Sequence, residues 1–217
     1  MATPVKALVK SICSDRAWEH IRHVGWRLWD RWHNVETSRP VDLNALSVVG
    51  TNRSHALPYE ASGSIRTILN DLVIDFERYG FLDFGSGKGR VLLAASQFPF
   101  KSVLGVEFAI ELHKTAENNI RQYRRAKVRC GALKSILADA TAFELPSIPL
   151  VLYFFNPFSG PVLAAVIANI ERSLAIHPRE LRIICAGKRM SKEAFDNMPN
   201  MQVVWRREHS TVYRLLH

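Results

Sequence analysis

Three cysteines, Cys13, Cys130 and Cys185, are too few and too scattered to frame this chain. They form no CxxC pair, so neither a disulfide framework nor a zinc site is indicated, and a reducing, cytoplasmic setting is expected. Long apolar runs are also missing. No uninterrupted stretch approaches the roughly 18 residues of a membrane span. Lys6 and Lys10 break up Met1 to Ile12, which therefore lacks the apolar run of a signal peptide. No repeat or low-complexity tract occurs, and no cluster of His and acids stands at ligand spacing, so no metal is expected. Acidic residues are in deficit: 29 Lys and Arg face 20 Asp and Glu, a net charge of +9. That balance allows an anionic partner such as nucleic acid, an anionic membrane or an acidic protein, but excess charge is also a plain solubility device.

What is present suits one domain with an extension. The 217 residues are 47% hydrophobic, ample for a sizeable core. Residues 1–45 read as an N-terminal amphipathic helical extension and 46–217 as the main domain. Trp18, Ile21, Leu28, Trp29 and Trp32 share one helical face, with Arg16, His20, His23, Arg27 and Arg31 across from them and Trp26 off the stripe. Such a helix suits a lid packed on the domain, a partner or a membrane surface.

From residue 65 the pattern alternates. Ile65, Ile68, Leu69, Leu72, Val73 and Phe76 follow helical spacing, with Ser62 or Ser64 as N-cap. Strands are expected near Phe81–Phe84, Val103–Val106, Ser135–Ala138, Leu150–Phe155 and Leu181–Ala186, with helices between them. The last two strands, Met201–Trp205 and Thr211–Leu215, should pair as a hairpin. The expected fold is α/β: three layers, doubly wound, with a mainly parallel seven-stranded sheet and a C-terminal β-hairpin.

The chemistry gathers at strand ends. Gly80-Phe81-Leu82-Asp83-Phe84 runs into Gly85-Ser86-Gly87-Lys88-Gly89-Arg90. This is a buried strand, a turn in which glycine lets a ligand lie against the main chain, and the start of a helix with free N–H groups. Glu107, Asp139 and Asn156 end three other strands, and ligands in open α/β sheets bind beyond the carboxyl ends of strands. Glu107 follows Gly85 by 107 − 85 = 22 residues, a position suited to accept hydrogen bonds from ribose hydroxyls. The GxGxG spacing departs from the GxGxxG of dinucleotide sites, and Asp83 sits badly with a pyrophosphate. It suits a ligand carrying an ammonium group, as S-adenosylmethionine does.

Leu82-Asp83-Phe84-Gly85-Ser86-Gly87-Lys88-Gly89-Arg90, Gly105-Val106-Glu107, Ala138-Asp139-Ala140 and Tyr153-Phe154-Phe155-Asn156-Pro157-Phe158 together resemble the class I, Rossmann-like S-adenosylmethionine-dependent methyltransferases. The glycine turn and the Asn-Pro-Phe-Ser-Gly segment are also similar to those of non-SET histone-lysine methyltransferases. The resemblance covers roughly residues 56 to 217 and implies S-adenosyl-L-methionine as cofactor. It places Gly85, Ser86, Gly87 and Gly89 along the methionine portion, Asp83 at the turn or the amino group, Glu107 at the ribose, and Asp139 and Ala140 at the adenine, with Asn156 also among the cofactor-binding residues.

Asn156-Pro157-Phe158 is similar to the (Asp/Asn)-Pro-Pro-(Tyr/Phe) motif of nitrogen methylators, with one proline where that motif has two. There the Asn carbonyl accepts from the amine and the ring stacks on a planar substrate; alternatively, Pro157 and Phe158 close the loop and wall the pocket. Asn156 and Tyr59, with Glu60 beside it at the cofactor lip, are the catalytic candidates. The resemblance implies N-methylation of a protein lysine or another amine. Small-molecule O- or C-methylation and an inactive binding module are the alternatives. Five cations between Arg121 and Arg129 leave nucleic acid open as a partner.

Overall fold

The computed structural model describes residues 15–41, 46–50, 65–123, 127–187, 192–207 and 209–216. Its elements in chain order are α1 (Asp15–His33), α2 (Ile65–Asn70), β1 (Gly80–Phe84), α3 (Arg90–Ala95), β2 (Ser102–Glu107), α4 (Ile110–Gln122), β3 (Leu133–Leu137), β4 (Leu150–Phe155), α5 (Gly160–Ile176), β5 (Leu181–Ala186), α6 (Glu193–Asp196), β6 (Met201–Arg207) and β7 (Ser210–Leu215).

Seven strands form one sheet in the order β3-β2-β1-β4-β5-β7-β6. β1 to β5 pair in parallel, whereas β7 runs antiparallel to both β5 and β6. The expected hairpin is therefore present, and it inserts one reversed strand.

Alternation along each strand divides the core in two. Leu82, Phe84, Leu152, Phe154 and Ile183 point to one face, where α5 covers them with Val162, Leu163, Val166 and Ile170. Phe81, Val103, Val151, Tyr153 and Ile184 point to the other, under Ile65, Ile68 and Leu69 of α2 and Val91, Leu92 and Ala95 of α3. Both faces of the central strands are thus buried, as a parallel sheet requires, and three layers result.

One sequence reading changes. The helix expected through Phe76 stops at Asn70, leaving Val73 96% exposed. Asp75 starts a separate 3-10 turn, Phe76–Arg78, by accepting from the Glu77 N–H at 3.3 Å; its short side chain competes for backbone donors here as it does at turns. The proposed cap residues Ser62 and Ser64 lie outside the described residues. The expected stripe of α1 is divided. Ile21, Leu28 and Trp32 face outward, at 45%, 61% and 65% exposure. Trp29 turns inward, where Trp26, Asp30 and His33 join it.

Candidate active site

The glycine turn needs its glycines. Gly85, Gly87 and Gly89 have φ of 73°, 53° and 80°, in the left-handed region that side chains with a Cβ disfavour. At Gly85 space is also short: a Cβ would lie 2.6 Å from the Pro157 Cβ. The glycine turn and the loop after β4 are therefore in direct contact. Gly85 and Ser86 N–H both donate to the Val106 carbonyl, at 2.9 and 3.2 Å, which pins the turn to the end of β2.

Glu107 closes the turn from the neighbouring strand. Its carboxylate accepts from the Gly87 N–H at 2.7 Å and from the Ala109 N–H at 2.9 Å. Burial raises its pKa, against the lowering effect of these backbone donors. Asp83, 3% exposed, is pushed well above the usual carboxylate range, first by burial and then by the charge of Glu107. Two buried acids side by side favour a cation or a shared proton between them. The Ser86 hydroxyl is buried without a hydrogen-bond partner and abuts Gly105, where a Cβ would fall 2.5 Å from its oxygen.

Asp139 and Ala140 follow β3. The Asp139 carboxylate accepts from the Thr141 N–H and hydroxyl at 2.9 and 2.7 Å, forming a local turn. Its other oxygen lies against Gly50. Residues 47–50 reach it by running alongside the chain after Glu107: Val49 N–H donates to Phe108 C=O at 2.9 Å, and Ile110 N–H donates to Ser47 C=O at 2.8 Å. Asn156, 5% exposed, has a φ of 48°, a conformation that Asn tolerates better than most residues. Its amide packs on Gly187 at the end of β5, where a Cβ would meet it at 2.3 Å. Phe158 is 8% exposed and meets Phe154 edge-on at 6.3 Å within the core. Its ring packs within the core and is not exposed as a stacking platform. Tyr59 and Glu60 lie outside the described residues. Among the described residues no group of His, Cys, Asp and Glu stands ready to hold a metal ion.

The largest feature missed in the sequence is how the N-terminal segment grips the turn. Lys88, 4% exposed, donates to both Glu36 carboxylate oxygens at 2.8 Å and to the Arg39 carbonyl at 3.0 Å. Arg90 donates to Asp30 at 3.1 Å and to the Thr37 hydroxyl at 2.7 Å, and its guanidinium lies 4.5 Å from the Trp29 ring centre. Asn119 of α4 ties both sides together, donating to the Glu36 and Lys88 carbonyls at 2.8 and 2.9 Å and accepting from the Glu36 N–H. The signal lay in Lys88 and Arg90 themselves. Two cations beside a buried turn need buried acceptors, and Asp30 and Glu36 were available to supply them. Lys127 lies beside this contact: its Nζ sits 3.3 Å from His33 Nε2, and His33 stacks on Tyr123.

No protein-family model and no curated protein sequence matches the chain. Solved structures do. A methyltransferase of Aquifex aeolicus dependent on S-adenosylmethionine aligns over 69% of this chain and 88% of its own, with 13% identity and a TM-score of 0.52. A Methanococcus maripaludis protein assigned to the same class aligns over 70% and 83%, with 16% identity and a TM-score of 0.51. At these identities the likeness is one of fold. The seven-stranded sheet with its reversed penultimate strand is the fold of the class I S-adenosylmethionine-dependent methyltransferases.

Proposed function

We propose that this chain is an S-adenosyl-L-methionine-dependent methyltransferase whose acceptor is an amine nitrogen, on a protein lysine or a smaller amine. One observation carries the reading: the left-handed glycine turn, the buried Asp83–Glu107 pair and the Asn156–Pro157 loop meet at the same edge of the sheet.

The residues present fit the cofactor. Asp83 and Glu107 form an anionic pocket floor suited to an ammonium group. Backbone N–H groups of Gly87, Ala109 and Phe108 occupy part of the roughly four lone-pair positions of the Glu107 carboxylate, which leaves acceptor capacity for ribose hydroxyls. The unpartnered Ser86 hydroxyl offers one more polar contact. Asp139, Ala140 and Gly50 would border the adenine. When bound, S-adenosylmethionine supplies a sulfonium methyl group, already a strong electrophile.

The protein's own work is then positioning and drying. Pro157 against Gly85 and Asn156 against Gly187 fix where an acceptor can enter. Held orientation is worth several kcal/mol, on the order of 7 or more in well-aligned cases. An amine acceptor reacts as its neutral form, so a nearby carboxylate, tyrosine or water must take its proton. Asn156 and Tyr59 remain the candidates for contacting the acceptor. Among the described residues no helix is long and apolar enough to cross a membrane. The free thiols Cys130 and Cys185 support a reducing, cytoplasmic setting.

The test is transfer of a labelled methyl group from the cofactor into a cell lysate, separated by size and then treated with mild base. The reading expects base-stable label, recovered as methylated lysine or amine. Label released by base as methanol would mean oxygen methylation, and label removed by nuclease would mean a nucleic-acid acceptor. No transfer would leave the binding-module alternative.

A further inference from the structure

We propose that the outer face of α1 docks this protein onto an anionic membrane surface. Each helical residue advances about 100°, which sets two faces of α1 nearly opposite one another. The inner face is occupied: Asp30 is bound to Arg90, and Trp29 and His33 stack against Tyr123 of the domain. The outer face carries Ile21, Val24, Leu28 and Trp32 at 45%, 38%, 61% and 65% exposure. Four exposed apolar side chains in one stripe mark an interaction surface.

Charge identifies the partner. Arg27 and Arg31 are exposed along the edge of that stripe, while Arg22, also exposed, stacks on Trp26 toward the inner side. Between His20 and Trp32 the only acid is Asp30, which is turned inward and neutralised by Arg90. The sequence before the helix adds Lys6 and Lys10 and no acid until Asp15. An apolar stripe flanked by arginines, low in net hydrophobicity and too polar to span, has the chemistry of a helix lying in the interface plane. Trp32 suits the headgroup boundary, where an indole can bury its ring and keep its N–H wet. A nucleic acid would satisfy the arginines but has no use for Ile21, Val24 and Leu28. Docking also requires no unlatching, because the inner contacts to Arg90 and Tyr123 leave the outer stripe open.

The experiment is co-sedimentation of the full chain with two vesicle types, phosphatidylcholine alone and phosphatidylcholine mixed with phosphatidylglycerol. The expected result is sedimentation with the mixed vesicles, weakened by salt, with little on the neutral ones. Leu28→Glu/Trp32→Glu should weaken it by about tenfold or more while leaving the thermal unfolding curve in place, since both residues are largely solvent-exposed. Arg27→Glu/Arg31→Glu should weaken it on mixed vesicles by a similar factor. The proposal fails if the protein ignores mixed vesicles, or if sedimentation survives Leu28→Glu/Trp32→Glu. It also fails if gel filtration shows a dimer that the same double variant dissolves, or if a DNA duplex is bound more tightly than the vesicles.

Discussion

Replacing Asp30 with alanine tests whether the N-terminal segment is integral to the glycine turn. The Asp30 carboxylate accepts four hydrogen bonds: Thr37 N–H and Ser38 N–H at 2.8 Å, the Thr37 hydroxyl at 2.6 Å and Arg90 Nη1 at 3.1 Å. Asp30 and Arg90 are 6% and 8% exposed. Breaking a buried ion pair by removing one partner typically costs about 3–5 kcal/mol, because the remaining charge stays buried. The Thr37 hydroxyl and the Trp29 ring still face Arg90, so the lower end applies, about 3 kcal/mol. For a domain of this size that corresponds to a fall in Tm of about 6–12 °C. Urea unfolding should show a lower midpoint with an unchanged slope. Adding Arg90→Met to Asp30→Ala should recover part of the loss, since an apolar side chain replaces the stranded charge. A loss below about 0.5 kcal/mol, or single changes that add within about 0.5 kcal/mol, would refute the reasoning.

Other consequences follow from the same geometry. Gly85→Val should destabilise the fold and weaken S-adenosylhomocysteine binding at least about tenfold, measured by calorimetry, because its φ of 73° is disfavoured and its Cβ would strike Pro157. Asp83→Asn should raise thermal stability at neutral pH, measured without added cofactor, yet weaken cofactor binding. The sign follows from the raised pKa of Asp83 in the fold. Ionising it is penalised only in the folded state, so the wild type loses stability as pH rises above the unfolded value of about 3.9. The advantage of Asn should therefore vanish as pH falls toward about 4. Asn156→Ala should cut methyl transfer by about tenfold or more with cofactor affinity within about threefold, the pattern of a residue that meets the acceptor. Equal losses in both would place it with the cofactor instead.

Much of this was legible before any coordinates. Short apolar runs ending in polar residues gave the strands, their order of appearance and the edge where Asp83, Glu107, Asp139 and Asn156 lie. The terminal hairpin was readable because Arg206 to Ser210 interrupts two short β-branched and aromatic runs. Three features were not. Helical spacing from Ile65 through Phe76 concealed the break after Asn70, because Leu72 stays buried while Val73 does not. Helix α6, four residues long, is too short for any periodicity to show. On α1, the apolar stripe left lid, partner and membrane surface open, and spacing did not show that Trp29 turns inward while Ile21, Leu28 and Trp32 stay exposed. The side packed on the domain is polar and aromatic, built from Asp30, Trp29 and His33, because it must satisfy the buried Arg90 of the turn. Contacts such as Glu36 to Lys88, 52 residues apart, leave no local trace in sequence.

The central claim is that the turn from Gly85 to Gly89, with Glu107, holds S-adenosylmethionine. Calorimetric titration of the full chain with S-adenosylhomocysteine tests it most directly, with Glu107→Ala and NADH as comparisons. The account predicts one-to-one binding to the wild type, at least about tenfold weaker binding to Glu107→Ala, equivalent to about 1.4 kcal/mol, and no heat with NADH. Absence of binding by the wild type, or equal binding of NADH, would contradict it.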